Sequence, residues 1–173
     1  GLLASLLYGS GLRRIEAVNP SINAFVALRA DGALAEARAL AEHITAGKDP
    51  GPLAGIPIGV KDMEDTSGMV TSFGSIPFKD NWAAHDSIQV ARLKAAGAIV
   101  IGKTNTPELG LGSQSYNDVH GTTKNAYDPD LTAGGSSGGG PTTNLLSCTV
   151  SRGGVWPLTA LPARHASLSQ QLL

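Results

Sequence analysis

The chain has 173 residues, of which 42% are hydrophobic and 16% are charged, and its formal net charge is −1. These values are typical of one globular domain, and they exclude a strong electrostatic field that would recruit nucleic acid or an anionic membrane. No run of about 18 apolar residues predicts a membrane span. The single cysteine, Cys148, excludes an internal disulfide framework and fits a reducing compartment. The composition therefore predicts a cytoplasmic protein with no membrane partner and no direct nucleic-acid partner.

The first part of the chain has a helical pattern. In "ADGALAEARALAEHITAG" the apolar residues recur at helical spacing, which predicts a helix near residues 32–46. Upstream, "RRIEAVNPSINAFVAL" predicts a short helix that ends before Asn19-Pro20, because proline disfavours helical backbone at the residue before it. The chain after this proline is predicted to run extended.

The second part alternates between strand and helix. "GPLAGIPIGVKD" places apolar residues at a period of two, which predicts a strand near residues 56–60 that ends at Lys61. "HDSIQVARLKAAG" predicts a helix near residues 87–96, and the all-apolar "AIVI" predicts a short buried strand near 98–101. A strand, a helix and a second strand at this spacing indicate the α/β class.

The ends of both helices carry sequence signals. For the first helix, Asp31 is predicted as the N-cap and Gly47 as the stop. For the second, Asp86 is predicted as the N-cap, with Gln89 at the third helical position of a capping box. Gly97 is predicted to end that helix.

The octapeptide "GAIVIGKT", Gly97–Thr104, matches the G-x-x-x-x-G-K-[ST] pattern of nucleotide-binding phosphate loops. Such a loop needs a strand before its first glycine and a helix after its lysine. Here the predicted helix precedes the glycine, and a predicted strand fills the place of the loop. We therefore expect Gly102 to end a strand and Lys103 to be solvated or to pair nearby. Nucleotide binding stays the less favoured alternative.

The third part begins near Ala126 and is rich in glycine and turn-forming residues. By composition, "AGGSSGGG" at residues 133–140 is either a flexible linker or a tight loop that packs backbone amides and hydroxyls around a reacting group. The residues after 140 show no sustained period of two or 3.6. They are interpreted as a foreign or poorly structured tail.

Four blocks, in this order and spacing, resemble the amidase signature family: "GPLAGIPIGVKD", "GAIVIGKTNTPELG", "GTTKNAYDP" and "GGSSGG". The resemblance covers Arg14 to Gly139. It implies a partial amidase-signature fold, which is a mixed sheet flanked by helices. Residues 1–140 are accordingly expected to form the N-terminal part of such a domain, truncated before its second half, and residues 141–173 an aberrant tail.

The resemblance also implies a chemistry. Members of the family hydrolyse or transfer amides with a Ser–cis-Ser–Lys triad, a variant of the serine-hydrolase triad. The motifs assign its lysine to Lys61 and its bridging serine to Ser136. The expected supporting loop consists of Gly134, Gly135, Ser137, Gly138 and Gly139.

The sequence departs from the family at the attacking serine. That serine belongs to a later block of the type G-T-D-x-G-G-S-x-R-x-P, which the 173 residues lack. Neither Ser147 nor Ser151 follows paired glycines, and Gly153-Gly154 is followed by Val155. We therefore identify no nucleophile and expect an N-terminal fragment that is itself inactive. The alternative is a non-catalytic binding or interaction module that retains the fold.

The resemblance implies a small-molecule amide as the partner and neither metal nor cofactor. The family includes aliphatic and aryl amidases, fatty-acid amide hydrolases and a glutaminase subunit that supplies ammonia for transamidating charged tRNA, and the sequence does not choose among them. The four histidines, which are His43, His85, His120 and His165, show no metal-ligand spacing. A homo-oligomer is left open.

Overall fold

The computed structural model describes residues 2–140, 148–151 and 154–157. Three helices and seven strands make up its regular elements. In chain order they are α1 (Leu2–Ile22), β1 (Phe25–Leu28), α2 (Ala30–Thr45), β2 (Pro57–Lys61), α3 (Ile88–Ala95), β3 (Ile99–Thr104), β4 (Tyr116–Asn117), β5 (Gly121–Thr122), β6 (Cys148–Ser151) and β7 (Gly154–Pro157). Short 3-10 helices at Ile76–Phe78 and Glu108–Gly110 interrupt the loops.

Five strands form one mixed sheet in the order β1-β3-β2-β6-β7. The central strands β3, β2 and β6 run parallel, while β1 and β7 run antiparallel to their neighbours at the two edges. Strands β4 and β5 form a separate antiparallel pair. The mixed sheet with its helices confirms the predicted α/β class.

Two apolar clusters lie on opposite faces of this sheet, because successive side chains of a strand point to opposite faces. One cluster joins β2 and β3 to helix α3 and contains Ile58, Val60, Met69, Val90, Leu93, Ala98 and Val100. The other joins β1 and β3 to helices α1 and α2 and contains Leu12, Ile15, Phe25, Ala33, Ala37, Ile99 and Ile101. The predicted "AIVI" strand thus supplies both clusters.

Helix α1 does not end before Asn19-Pro20, as the sequence predicted, but continues to Ile22 with Pro20 inside it. Only two helical residues follow Pro20, so the proline disturbs the last turn of the helix alone. The Asn19 carbonyl then accepts the Asn23 amide at 2.7 Å, and the Asn19 side-chain oxygen accepts the amides of Ala24 (2.9 Å) and Phe25 (2.7 Å). Asn19 therefore turns the chain directly into β1.

Both predicted N-caps are wrong. Helix α2 begins at Ala30, so Asp31 lies inside its first turn, and Arg29 occupies the cap position without a side-chain capping hydrogen bond. Helix α3 is capped by Ser87, whose hydroxyl accepts the Val90 amide at 3.4 Å. Asp86 instead binds the Ser67 amide and the Lys94 ammonium, each at 2.8 Å. With Ser87 as the cap, the predicted capping box with Gln89 does not form.

The octapeptide Gly97–Thr104 consists of a helix end followed by a strand. Strand β3 is longer than predicted, since it runs through Gly102 to Thr104, and all six of its residues are buried. Its backbone pairs with β1 on one side and β2 on the other. Lys103 is buried and paired, so the part of the prediction that left it solvated is wrong.

The chain after residue 140 contributes strands β6 and β7, where the sequence indicated no regular element. Strand β6 pairs in parallel with β2, next to Lys61, and β7 pairs with β6. Residues 141–147, 152–153 and 158–173, and with them Ser147 and Gly153, lie outside the described residues. Within the described part, no helix combines the length and the apolar character that crossing a bilayer requires.

Candidate active site

Lys61 lies at the carboxyl end of strand β2, at the centre of the sheet. Its side chain is 6% exposed, and in the sheet register it stands opposite Thr104 of β3. Removal of the ammonium from water disfavours its charged form, and this burial lowers the pKa of Lys61 from 10.5 to about 8. A considerable share of this lysine is therefore neutral at mildly alkaline pH and can act as a base.

Ser136 lies against this lysine. Its Oγ is 2.8 Å from Lys61 Nζ, a hydrogen bond between residues 75 positions apart in the sequence. The peptide bond between Gly135 and Ser136 is cis. The structure thus brings together the two residues that the resemblance assigned to one site.

The predicted supporting residues form the turn that carries Ser136. The Gly134 carbonyl accepts the Ser115 amide at 3.1 Å, and the Ser137 carbonyl accepts the Gly140 amide at 2.9 Å. Gly135 and Gly139 pack so closely on neighbouring backbone that a Cβ there would lie 2.9 Å and 2.6 Å from it. The Gly/Ser-rich stretch is therefore a packed loop and not a flexible linker.

Sequence reasoning missed Ser115, a fully buried residue that bonds to this loop. It precedes Ser136 by 21 positions and belongs to none of the four motif blocks. Only the folded chain brings it to the loop, so no pattern in the sequence could have indicated it.

A second buried polar cluster, also missed, lies next to Lys61 along the chain. Asp62 is 1% exposed, and its carboxylate lies 3.5 Å from Lys103 Nζ and 3.4 Å from His120 Nε2. The Ser72 hydroxyl donates to the same carboxylate and lies 2.9 Å from His120 Nε2. Lys103 also donates to Thr71 Oγ1 at 3.0 Å and to the Glu64 carbonyl. This cluster fixes the segment that follows β2.

The two buried lysines therefore differ in their surroundings. Burial lowers the pKa of Lys103, but the charge of Asp62 and its hydrogen bond oppose that shift. For Lys61, burial is the cause of the lowered pKa, and the side chain donates to the neutral hydroxyl of Ser136. Lys103 is thus held as an ion-pair partner, whereas Lys61 is available for proton transfer.

The three histidines that the structure describes have different surroundings. His43 and His85 are exposed, His120 belongs to the Asp62 cluster, and His165 lies outside the described residues. No group of three or more His, Cys, Asp or Glu side chains in the described part of the chain could hold a metal ion.

A partly neutral lysine bonded to a serine hydroxyl can take a proton from it, which is the chemistry of serine–lysine hydrolases. The protein-family model named Amidase matches residues 9–142, and the chain belongs to this family. The match ends close to Gly139, where the resemblance in the sequence also ends. The recognition of the family from its four motif blocks is thereby confirmed.

Individual relatives agree with this assignment. The chain is 42% identical over 128 residues to a glutamyl-tRNA(Gln) amidotransferase subunit of Acidothermus cellulolyticus, an alignment that covers 74% of this chain and 25% of the relative. A bacterial aryl acylamidase of the amidase signature family has a TM-score of 0.75 and 31% identity, over 80% of this chain and 29% of that chain.

A third similar structure is a chain of an inhibitor-bound protein complex. That complex is described as vestigial and as revealing the evolutionary origins of an s-triazine catabolic enzyme. Its chain has a TM-score of 0.78 and 35% identity, over 84% of this chain and 33% of that chain. The chain thus spans about a quarter of the length of the first curated relative and about a third of these solved structures.

Proposed function

We propose that this chain carries the base and the proton relay of an amidase-signature site, which hydrolyses or transfers the C–N bond of an amide. Lys61 is the base, and Ser136 is the relay. The observation that carries the proposal is the 2.8 Å contact between Lys61 Nζ and Ser136 Oγ at a buried lysine whose pKa is lowered to about 8. Membership of the amidase family supports the reaction class.

In the proposed reaction, neutral Lys61 takes the hydroxyl proton of Ser136 while Ser136 takes the proton of an attacking serine. The attacking oxygen bonds to the amide carbon, the C–N bond breaks, and the proton returns through Ser136 to the leaving amine or ammonia. Water or an amine acceptor then releases the acyl group from the attacking serine by the same relay.

The attacking serine is not supplied by these 173 residues, because they contain no G-T-D-x-G-G-S-x-R-x-P block. The amides next to that serine would also have bound the developing oxyanion. Loss of one oxyanion donor typically costs about 10²–10³ in rate, and loss of a nucleophile in a comparable triad costs roughly 10⁶. We therefore propose that this chain alone does not turn over amides at a rate comparable with complete amidases.

The proposed substrate class is a small-molecule amide, either a simple amide or the side-chain amide of glutamine. The relatives include an aryl acylamidase and glutamyl-tRNA(Gln) amidotransferase subunits. The word subunit in the second name indicates that those relatives work in an assembly. A partner subunit is therefore part of the proposal. The missing nucleophile block favours one second candidate, a non-catalytic module that retains the fold.

A transplant tests the assigned roles. Residues 9–140 of this chain replace the matching segment of the bacterial aryl acylamidase, and the release of p-nitroaniline from p-nitroacetanilide is measured. We expect activity that falls at least ~10³-fold in Lys61→Ala and in Ser136→Ala, as for other triad members. The matched controls Lys79→Ala and Ser113→Ala, at exposed positions, should keep it.

Two outcomes of the transplant would count against the proposal. Activity that survives Lys61→Ala would refute the role of Lys61 as the base. A folded but inactive transplant would favour the non-catalytic module. The unaltered chain should be inactive in the same assay, and robust turnover abolished by Lys61→Ala would instead reveal a nucleophile within residues 141–173.

A further inference from the structure

We propose that Ser115 is a positioning residue, which clamps the turn at residues 134–138 so that Ser136 Oγ stays against Lys61 Nζ. The inference rests on the proposed function, because it concerns the geometry of the proposed base and relay. Ser115 acts on the relay through the turn, since its hydrogen bonds go to Gly134, Ser136 and Gly138.

Three bonds of Ser115 reach the turn on both sides of Ser136 and at Ser136 itself. Its amide donates to the Gly134 carbonyl at 3.1 Å. Its hydroxyl accepts the Gly138 amide at 2.8 Å and donates to the Ser136 carbonyl at 3.3 Å. Because a hydroxyl both donates and accepts, one buried side chain fixes both the relay residue and the residue two positions later.

Ser115 is itself held in place, so it can act as a fixed support. It is 0% exposed, and its carbonyl accepts the Thr123 amide at 2.9 Å. Thr123 is also 0% exposed, and its hydroxyl donates to the Asn23 carbonyl at 2.7 Å. The turn is thereby tied through Ser115 to the segment between α1 and β1.

The turn packs so closely against Ser115 that residue 138 has to be a glycine. A Cβ at Gly138 would lie 2.7 Å from Ser115 Oγ and 2.3 Å from the Gly134 carbonyl oxygen, nearer than such atoms pack. In Ser115→Ala the Gly138 amide and the Ser136 carbonyl lose this partner. The turn can then shift relative to β2, and Lys61 becomes more solvated.

The test titrates Lys61 in the full chain by NMR, following the ¹³Cε shift of labelled lysine against pH. We expect Ser115→Ala to raise the titration midpoint of Lys61 by at least about one unit from near 8, which lowers its neutral fraction at pH 7 about tenfold. The matched control is Ser75→Ala, which removes an equally small buried hydroxyl that bonds to Glu108 at 2.7 Å. It should leave the midpoint unchanged.

An unchanged Lys61 midpoint in folded Ser115→Ala would overturn the inference. A second measurement follows the hydrogen exchange of the Gly138 amide in the unaltered protein and therefore needs no variant. We expect it to exchange at least ~100-fold more slowly than the amide of the exposed Ser113, and a Gly138 amide as fast as Ser113 would equally overturn the clamp. Failure of the proposed function would appear elsewhere, in a transplanted enzyme that is indifferent to Lys61→Ala.

Discussion

Lys61 and Lys103 lie on neighbouring central strands, and both are almost completely buried. Lys103 has a carboxylate, a hydroxyl and a carbonyl around its ammonium. Lys61 has the hydroxyl of Ser136. Because an ammonium without a countercharge is unfavourable in the interior, the pKa of Lys61 falls to about 8. The burial of Lys61 therefore disfavours its charged form, which costs stability but leaves the amine able to accept a proton.

The two lysines should respond differently to the same substitution. Lys103→Met leaves the Asp62 carboxylate buried without its ammonium partner and is expected to lower the free energy of unfolding by about 3–5 kcal/mol. Lys61→Met removes a poorly compensated charge and should leave the free energy of unfolding unchanged or raise it. Urea unfolding at pH 7 measures both, and equal losses would contradict the distinction.

At the residue scale, the sequence predicted the site only through its motifs. Lys61 and Ser136 were assigned from the resemblance, and the structure brings them within hydrogen-bond distance. Ser115 could not be assigned, since its contacts with the turn join residues 21 and 23 positions apart. The burial of Lys103 was missed because β3 continues two residues past Gly102, which carries the lysine into the sheet.

At the scale of elements, apolar periodicity located α2, α3, β2 and β3 to within about three residues, while the polar starts of the two helices were assigned wrongly. Periodicity reflects burial, which the sheet enforces over a whole element. An N-cap depends on a single side chain, and Asp86 and Ser87 compete for the same helix start. Asp86 binds Ser67 and Lys94 instead, neither of which the local pattern indicates. The glycines that end the helices, Gly47 and Gly97, were predicted correctly.

These two glycines provide a matched pair of substitutions. Both have positive φ, +72° at Gly47 and +95° at Gly97. A Cβ at Gly47 meets nothing within 4 Å, whereas at Gly97 it would lie 2.3 Å from the Pro50 carbonyl oxygen. Gly47→Ala should therefore cost only the backbone strain of about 1–2 kcal/mol. Gly97→Ala should lower the free energy of unfolding further, since Pro50 must also move.

Urea or thermal unfolding of both variants measures this difference. Equal losses would indicate that the turn at Gly97 is looser than its contacts suggest. A larger loss in Gly97→Ala would show that the first glycine of "GAIVIGKT" serves packing between α3, β3 and the segment before β2.

At the scale of the whole molecule, the fold excludes a phosphate loop at the octapeptide Gly97–Thr104, because most of it is strand β3. Its lysine is 0% exposed and paired within the interior, and the backbone amides of β3 belong to a sheet. We therefore expect ATP and GTP not to bind, and isothermal titration calorimetry should detect no heat of binding. A micromolar dissociation constant for either nucleotide would contradict this expectation.

The central claim is that the folded chain holds Lys61 as a base beside Ser136. The lowered pKa of Lys61 is a property of the folded chain, because burial removes the amine from water. The most direct measurement is the NMR titration of Lys61 ¹³Cε in the unaltered chain, native and in concentrated urea. We expect a midpoint of about 8 in the folded protein and a return towards 10.5 on unfolding. A midpoint near 10.5 in the folded protein would contradict the account.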